Sequence, residues 1–235
     1  MKRDMVAHCQ PMVHLASGRW ELKYFFACAF AAVLAGCTTS DMGAGQTVTV
    51  PGTPVADGWY PGERRFPPKA GSIPALNMPA YRQGTTPDGF TYTIYPDGSG
   101  GVKGPQHGPA GGWSIDCSRD AMTDRRECKL TSYSARLLVY YGYSANPESV
   151  CIIGHDFPGR TGAIRVDKAA PVTTDRDGCA PARVATQMAS GSMVTTRRVE
   201  WPYDYHRDET ASLAGAKSAM DLVSYIQSNV DKLTF

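Results

Sequence analysis

Short stretches in which apolar and polar residues alternate occupy the C-terminal half of the chain. Alternation with a period of two is typical of a strand that buries one face, and turn signals such as Asn146-Pro147 and Asp177-Gly178 separate the stretches. Strands this short favour a mainly β fold, an antiparallel β-sandwich or barrel-like domain. At least six strands are predicted, over residues 113–117, 128–133, 136–141, 148–153, 163–167 and 193–201.

A different period marks the C-terminus, where apolar residues recur every three or four positions. This spacing predicts one amphipathic helix that buries an apolar stripe in the core. The stripe comprises Leu213, Ala216, Met220, Val223, Ile226 and Val230. A shorter helix or turn is predicted over residues 182–189, before Gly191.

The segment before the β domain is rich in glycine and proline. Residues 38–112 hold 15 Gly and 11 Pro, a content typical of irregular chain. We therefore predict a flexible tether over residues 37–86 and a β domain over residues 87–235, with its core in 113–232. The alternating stretch 90–95 is either an extra edge strand of this domain or an aromatic segment of the linker, and we favour the strand.

The N-terminus has the pattern of an export signal. A basic stretch ends at Lys23, and the apolar run 24–35 follows. Twelve residues are too few for the ~20 that span a bilayer but suit the apolar region of a signal peptide. The true start is either Met1 or Met12. We predict a signal peptide over residues 1–36.

The end of that run, Leu34-Ala35-Gly36-Cys37, resembles the lipobox of bacterial lipoproteins. The resemblance implies that Cys37 carries a diacylglycerol and palmitate-type chains, which anchor the protein to a membrane. Thr38 stands where Asp would imply retention in the inner membrane, so we expect an outer-membrane anchor with the domain in the periplasm or at the cell surface. The alternative is an ordinary secretory signal that ends in a chance cysteine.

Charge argues against nucleic acid as a partner. Four of the 24 Lys and Arg residues and two of the 22 Asp and Glu residues precede Cys37, which leaves 20 of each in the remaining chain. A formally neutral chain lacks the basic surface that phosphate binding requires.

Four cysteines follow Cys37, an even number that predicts disulfides in an oxidising compartment. We predict the pairs Cys117–Cys128 and Cys151–Cys179, because each pair lies on neighbouring strands or their connections. A zinc or redox site is the alternative, but the chain has no Cys-x-x-Cys motif and the cysteine spacings match no zinc template.

Several loose motifs resemble the invasion-associated locus B protein family. They are Trp113-x-x-x-Cys117, Asp124-Arg125-Arg126-x-Cys128, Ile164-Arg165-Val166-Asp167, Gly178-Cys179, Gly191-x-x-Val194 and the closing helix. The resemblance covers roughly residues 113–230. It implies a small secreted or periplasmic β domain with a link to host-cell invasion, and it supplies no catalytic residues.

Motifs of common enzymes are missing from the sequence, which contains no Gly-x-Ser-x-Gly, phosphate-binding glycine loop or His-Glu-x-x-His. We therefore predict a non-enzymatic envelope protein, without metal or cofactor, whose β domain either binds an envelope or host protein or has a structural role in the envelope. The candidate binding residues are Arg197, Arg198, Trp201 and Tyr203.

The alternative function is an envelope hydrolase or metal-dependent enzyme. It would use His155 and Asp156, or the trio Asp204, His206 and Asp208. We favour a turn around His155, since Asp and Gly are common in turns. For residues 204–208 we favour a solvated polar loop before the last helix. His107 lies in the Gly/Pro-rich segment 38–112, before the predicted core of the β domain.

Overall fold

The computed structural model describes residues 52–73, 76–104 and 112–235. The predicted signal peptide, Cys37 and Thr38 lie outside these residues, and so does His107. No helix within the described residues is both long and apolar enough to cross a membrane.

Ten strands form the first sheet, in which every neighbouring pair is antiparallel. Strands β1 to β9 follow each other in chain order, and β12 returns to pair with β9. Successive side chains of a strand point to opposite faces of the sheet, and one of these faces packs on the core. On β6, for example, the buried residues are Trp113, Ile115 and Cys117. The strands are β1 Thr53–Pro54, β2 Arg64–Phe66, β3 Tyr81–Thr85, β4 Thr91–Ile94, β5 Gly100–Lys103, β6 Gly112–Arg119, β7 Arg126–Ser132, β8 Leu137–Gly142, β9 Ser149–Ile152 and β12 Cys179–Pro181.

Four antiparallel strands form the second sheet, in the order β11-β10-β13-β14. Their bounds are β10 Ala163–Val166, β11 Val172–Thr173, β13 Met193–Glu200 and β14 Tyr203–Ser212. The pairing of β13 with β14 shifts register between Val199 and Glu200. A bulge of this kind re-aims the side chains around it.

Both predicted helices are present: α1 spans Arg183–Ser190 and α2 spans Ala216–Asn229, followed by a 3-10 turn at Val230–Lys232. Every residue of the predicted apolar stripe, from Leu213 to Val230, is buried. Helix α2 packs against β5, β6 and β7, while α1 contacts α2, β9 and β10. The indole N–H of Trp113 donates to the carbonyl of Ala214, 3.0 Å away, just before α2.

Both sheets and both helices contribute to one hydrophobic core. Ile115 and Leu130 enter it from the first sheet, Ile164 and Val194 from the second, and Leu222 from α2. The prediction of a mainly β, antiparallel, disulfide-containing domain with a C-terminal helix is therefore confirmed.

The two predicted disulfides are both present. Cys117 lies directly opposite Cys128 in the β6–β7 pair, and Cys179 directly opposite Cys151 in the β12–β9 pair. Their Cα atoms are 4.2 and 3.9 Å apart, slightly less than the ~4.4–6.8 Å usual for disulfides. Each bridge thus joins facing positions of adjacent strands, where Cα atoms in antiparallel sheets lie about 4.5–5.5 Å apart.

The prediction of a flexible tether up to residue 86 is wrong for the part that the structure describes. Strands β1, β2 and β3 lie within residues 52–86, and β3 pairs with β4. The stretch 90–95 does form a strand, β4, but it is internal to the sheet instead of at its edge, and Tyr92 and Ile94 are fully buried. Pairing with neighbouring strands stabilises strand structure here in spite of the segment's high glycine and proline content.

A buried ionic cluster ties these first strands to the sheet. The side chains of Glu63 and Arg82 are both fully buried and bonded to each other, and the Tyr92 hydroxyl donates to Glu63. Arg82 also lies 3.0 Å from Asp57, and the Trp59 N–H donates to Glu63 over 3.0 Å. Burial, together with the hydrogen bond to Glu63, raises the pKa of Tyr92. Every charge in this cluster has a partner, as burial requires.

Candidate functional site

The closed end of the β13–β14 hairpin carries a group of exposed aromatic residues. Only Trp201 and Pro202 separate the two strands. Trp201 is 60% exposed, Tyr203 53% and Tyr205 48%. Single exposed apolar residues are common, but a contiguous exposed patch is typical of an interaction site.

The rings form two contacting pairs. The centroids of Tyr203 and Tyr205 are 5.8 Å apart, and those of Phe157 and Trp201 are 5.4 Å apart. Both distances lie within the range in which aromatic pairs attract each other. We call the group Phe157, Trp201, Tyr203, Tyr205 and Arg207 the aromatic surface.

Arg207 lies against the two tyrosines of the aromatic surface. Its guanidinium carbon is 5.8 Å from the centroid of Tyr203 and 5.2 Å from that of Tyr205, within reach of a cation–π contact. It also donates to the Tyr205 hydroxyl over 2.6 Å and to Glu200 over 3.1 Å. Alternation along β14 places Tyr203, Tyr205 and Arg207 on one face. The positive charge is therefore held beside the rings and balanced by a carboxylate.

The loop after β9 holds the hairpin end in place. The Asp156 carboxylate accepts the backbone N–H of Trp201 over 2.7 Å. Arg160 lies 3.0 Å from Asp204 at the start of β14. Because the loop and the hairpin are connected at these points, Phe157 is positioned next to Trp201.

His155 is the buried centre of this junction, at 7% exposure. Its Nδ1 accepts the backbone N–H of Val199 over 3.1 Å. Nδ1 is therefore unprotonated, and Nε2 carries the ring proton and donates it to the carbonyl of Arg160 over 3.2 Å. Both nitrogens are occupied, which leaves none free to accept a proton from a substrate. The geometry assigns His155 a structural role.

Residues 204–208 form part of strand β14, so the predicted polar loop is wrong. The strand is exposed along most of its length, and its polar residues resemble those of a loop for that reason. Asp204 is paired with Arg160, and Asp208 makes a two-point contact with Arg197 at 2.7 and 2.6 Å. The hydrogen bonds from Arg197 lower the pKa of Asp208.

The hypothesis of a cation site at Asp204, His206 and Asp208 gains no support from this arrangement. Two of the three side chains are engaged by arginines. Across residues 52–73, 76–104 and 112–235, no group of three or more ligating side chains is placed to hold a metal ion.

The four candidate binding residues separate into two pairs. Trp201 and Tyr203 both belong to the aromatic surface. Arg197 is paired with Asp208, and the Arg198 side chain is only 3% exposed, 2.9 Å from Glu209. Neighbouring residues of a strand face opposite sides, so the prediction of one patch containing both arginines is wrong.

Three residues of the aromatic surface were not among the candidates: Phe157, Tyr205 and Arg207. The alternation Tyr203-x-Tyr205-x-Arg207 is the signal that would have found two of them, once residues 203–212 are recognised as a strand. Phe157 comes from a separate loop, and its contact with Trp201 is visible only in the folded chain.

Comparison with known proteins returned no match among family models, curated proteins or solved structures. The resemblance to the invasion-associated locus B family therefore stays a prediction that rests on the motifs.

Proposed function

We propose that this chain is an exported, lipid-anchored envelope protein whose β domain is a non-catalytic binding module. The aromatic surface is its binding face. One observation carries the proposal: three large aromatic side chains, about half exposed or more, are clustered at one hairpin end that His155 and Asp156 hold in place. Exposed rings in a preorganised position can bind without the loss of freedom that ordering them would require.

A binding role is favoured over catalysis by the state of the ionisable groups. His155 has both nitrogens engaged, and Asp204 and Asp208 are paired with arginines. Glu63 and Arg82 form a closed buried cluster. In the described part of the chain, each of these acid–base candidates is thus used to hold the structure.

The membrane anchor is part of the same proposal. The lipobox-like run ending at Cys37 supports it, and two disulfides are expected of a domain in an oxidising compartment. Thr38 favours the outer membrane. Resemblance to the invasion-associated locus B family further suggests that the partner belongs to the envelope or to a host cell.

The anchor is tested by growing cells with labelled palmitate. We expect the wild-type chain to be labelled, and Cys37→Ala to be unlabelled and to retain its signal peptide. Labelling and normal membrane recovery of Cys37→Ala would refute the lipid anchor.

The binding face is tested by photocrosslinking in living cells. A benzophenone amino acid is placed at Tyr205, and as a control at Tyr133, which is 76% exposed on the β7–β8 turn. We expect position 205 to form an adduct, with a protein or with lipid, and position 133 to form none. Equal adducts from both positions, or none from either, would overturn the assignment of the aromatic surface as the binding face.

A further inference from the structure

We infer that the aromatic surface seats in the headgroup region of the bilayer that carries the lipid, and so sets the orientation of the domain. This inference rests on the lipid anchor proposed above, and it names the partner of the aromatic surface. The lipid alone would hold the domain at the membrane without defining which side faces the bilayer.

The side chains of the aromatic surface suit an interface between water and hydrocarbon. Trp and Tyr combine an apolar ring with a polar N–H or O–H group, and they are enriched where a membrane meets water. Trp201, Tyr203 and Tyr205 are all exposed at one hairpin end, with the apolar ring of Phe157 beside Trp201. Rings at the end of a hairpin can enter the headgroup layer without unfolding any strand.

The charged side chains at the hairpin end are paired, which favours contact with an electrically neutral membrane surface over contact with an anionic one. Arg207 is paired with Glu200, and Arg160 with Asp204. A basic patch that would recruit anionic lipid is therefore not formed by these two arginines. The inferred contact should depend little on ionic strength, because paired charges present no net field to be screened.

The chain between the anchor and the described domain is short. Gly52, the first described residue, lies 15 positions after Cys37, a segment that spans at most about 50 Å when fully extended. This short connection exists because β1, β2 and β3 belong to the sheet. A domain tethered by so short a segment has a high effective concentration at the membrane, so that even a weak contact of one of its surfaces with the bilayer is populated.

Trp201 provides the test. Three tryptophans follow Cys37; Trp113 is buried at 2% exposure, Trp59 packs against the core, and Trp201 is exposed. The lipidated protein, purified from its membrane, is reconstituted into phosphatidylcholine vesicles, with or without bromine on the acyl chains. The emission of Trp201 is the difference between the wild type and Trp201→Phe.

We expect brominated lipid to reduce the Trp201 emission about twofold, and vesicles to protect Trp201 from acrylamide relative to detergent. Both effects should persist in high salt. The matched control is Tyr133→Trp in the Trp201→Phe background, which places a tryptophan at another exposed position. Its emission should be insensitive to brominated lipid.

Two different failures can be distinguished by vesicle flotation. If the protein does not float with the vesicles, the lipid anchor is refuted, and this inference with it. If the protein floats but Trp201 stays unquenched by brominated lipid and open to acrylamide, only the bilayer contact is overturned. In that second case, protection of Trp201 by added cell-wall glycan, or a protein adduct from position 205, would identify a different occupant of the aromatic surface.

Discussion

Removal of the Cys151–Cys179 bridge is the sharpest test of what stabilises the domain. The bridge joins facing positions of β9 and β12 and closes a segment of 28 positions. That segment contains β10, β11 and the loop with His155. Chain-entropy arithmetic for a loop of this length gives about 3.6 kcal/mol of stabilisation. Both cysteines are only partly buried, so replacing them removes little packing.

We expect the double substitution Cys151→Ala with Cys179→Ala to lower the free energy of unfolding by about 3–4 kcal/mol. For a domain of this size, that loss corresponds to a fall in Tm of roughly 7–14 °C. Guanidinium denaturation followed by circular dichroism measures the free energy, and calorimetry measures the Tm. Reductant should lower the Tm of the wild type further than that of the double variant, which retains only the shorter bridge.

Removal of the second disulfide provides a comparison for this loss of stability. Cys117–Cys128 closes 11 positions, for which the same arithmetic gives about 2.8 kcal/mol. Cys128 is fully buried, so alanine there also loses packing energy, and the total loss measured for this pair should exceed its loop term. A loss below about 1 kcal/mol on removing Cys151–Cys179 would refute the view that loop closure around β10 and β11 stabilises the domain.

Three further predictions concern charged and titrating groups. Arg82→Leu leaves the buried Glu63 carboxylate without its arginine partner and should cost about 3–5 kcal/mol in guanidinium denaturation. By contrast Lys129→Leu, which breaks a partly exposed ion pair with Glu127, should cost less than about 1 kcal/mol. Burial raises the pKa of Tyr92 and Tyr141, so above about pH 10 these tyrosines ionise in the unfolded chain first, and Tm should fall as pH rises. Arg197 lowers the pKa of Asp208; the resulting stability is present above pH ~4 and is lost in acid, so Tm should fall less steeply there in Asp208→Asn.

Strands that pack one face on the core could be predicted from the sequence. The residues of β6, for example, alternate between Trp113 and Cys117, and the burial of those two residues follows this alternation. Helix α2 could be predicted for the same reason, because its buried apolar stripe is long and periodic. The Cys117–Cys128 pair could be predicted because a short connection between successive strands places these cysteines opposite each other. The Cys151–Cys179 pair could be predicted only because the chain between them is long enough to leave the sheet and return, as β12 does when it pairs with β9.

Strands that form only because a neighbouring strand pairs with them could not be predicted from the sequence. Strand β2 is only Arg64–Phe66, too short to show a period, and its sheet position comes from pairing with β3. Glu63 and Arg82 look like surface residues in the sequence, since nothing local shows that they bury each other. Strand β14 lies at a sheet edge and is exposed along most of its length. Its polar composition therefore resembled a loop, and only two of the five residues of the aromatic surface were among the candidates.

Contacts between the two ends of the described domain affect when its fold can be completed. Arg65 donates to the Thr234 hydroxyl over 3.0 Å, across 169 positions of sequence. Trp59 stacks on Tyr225 of α2, with ring centroids 5.6 Å apart. An exported chain that emerges amino end first would thus present β1 to β3 long before the residues that hold them are available. Contacts this distant in sequence are slow to form, so the C-terminal residues of the chain complete the structure that its first strands begin.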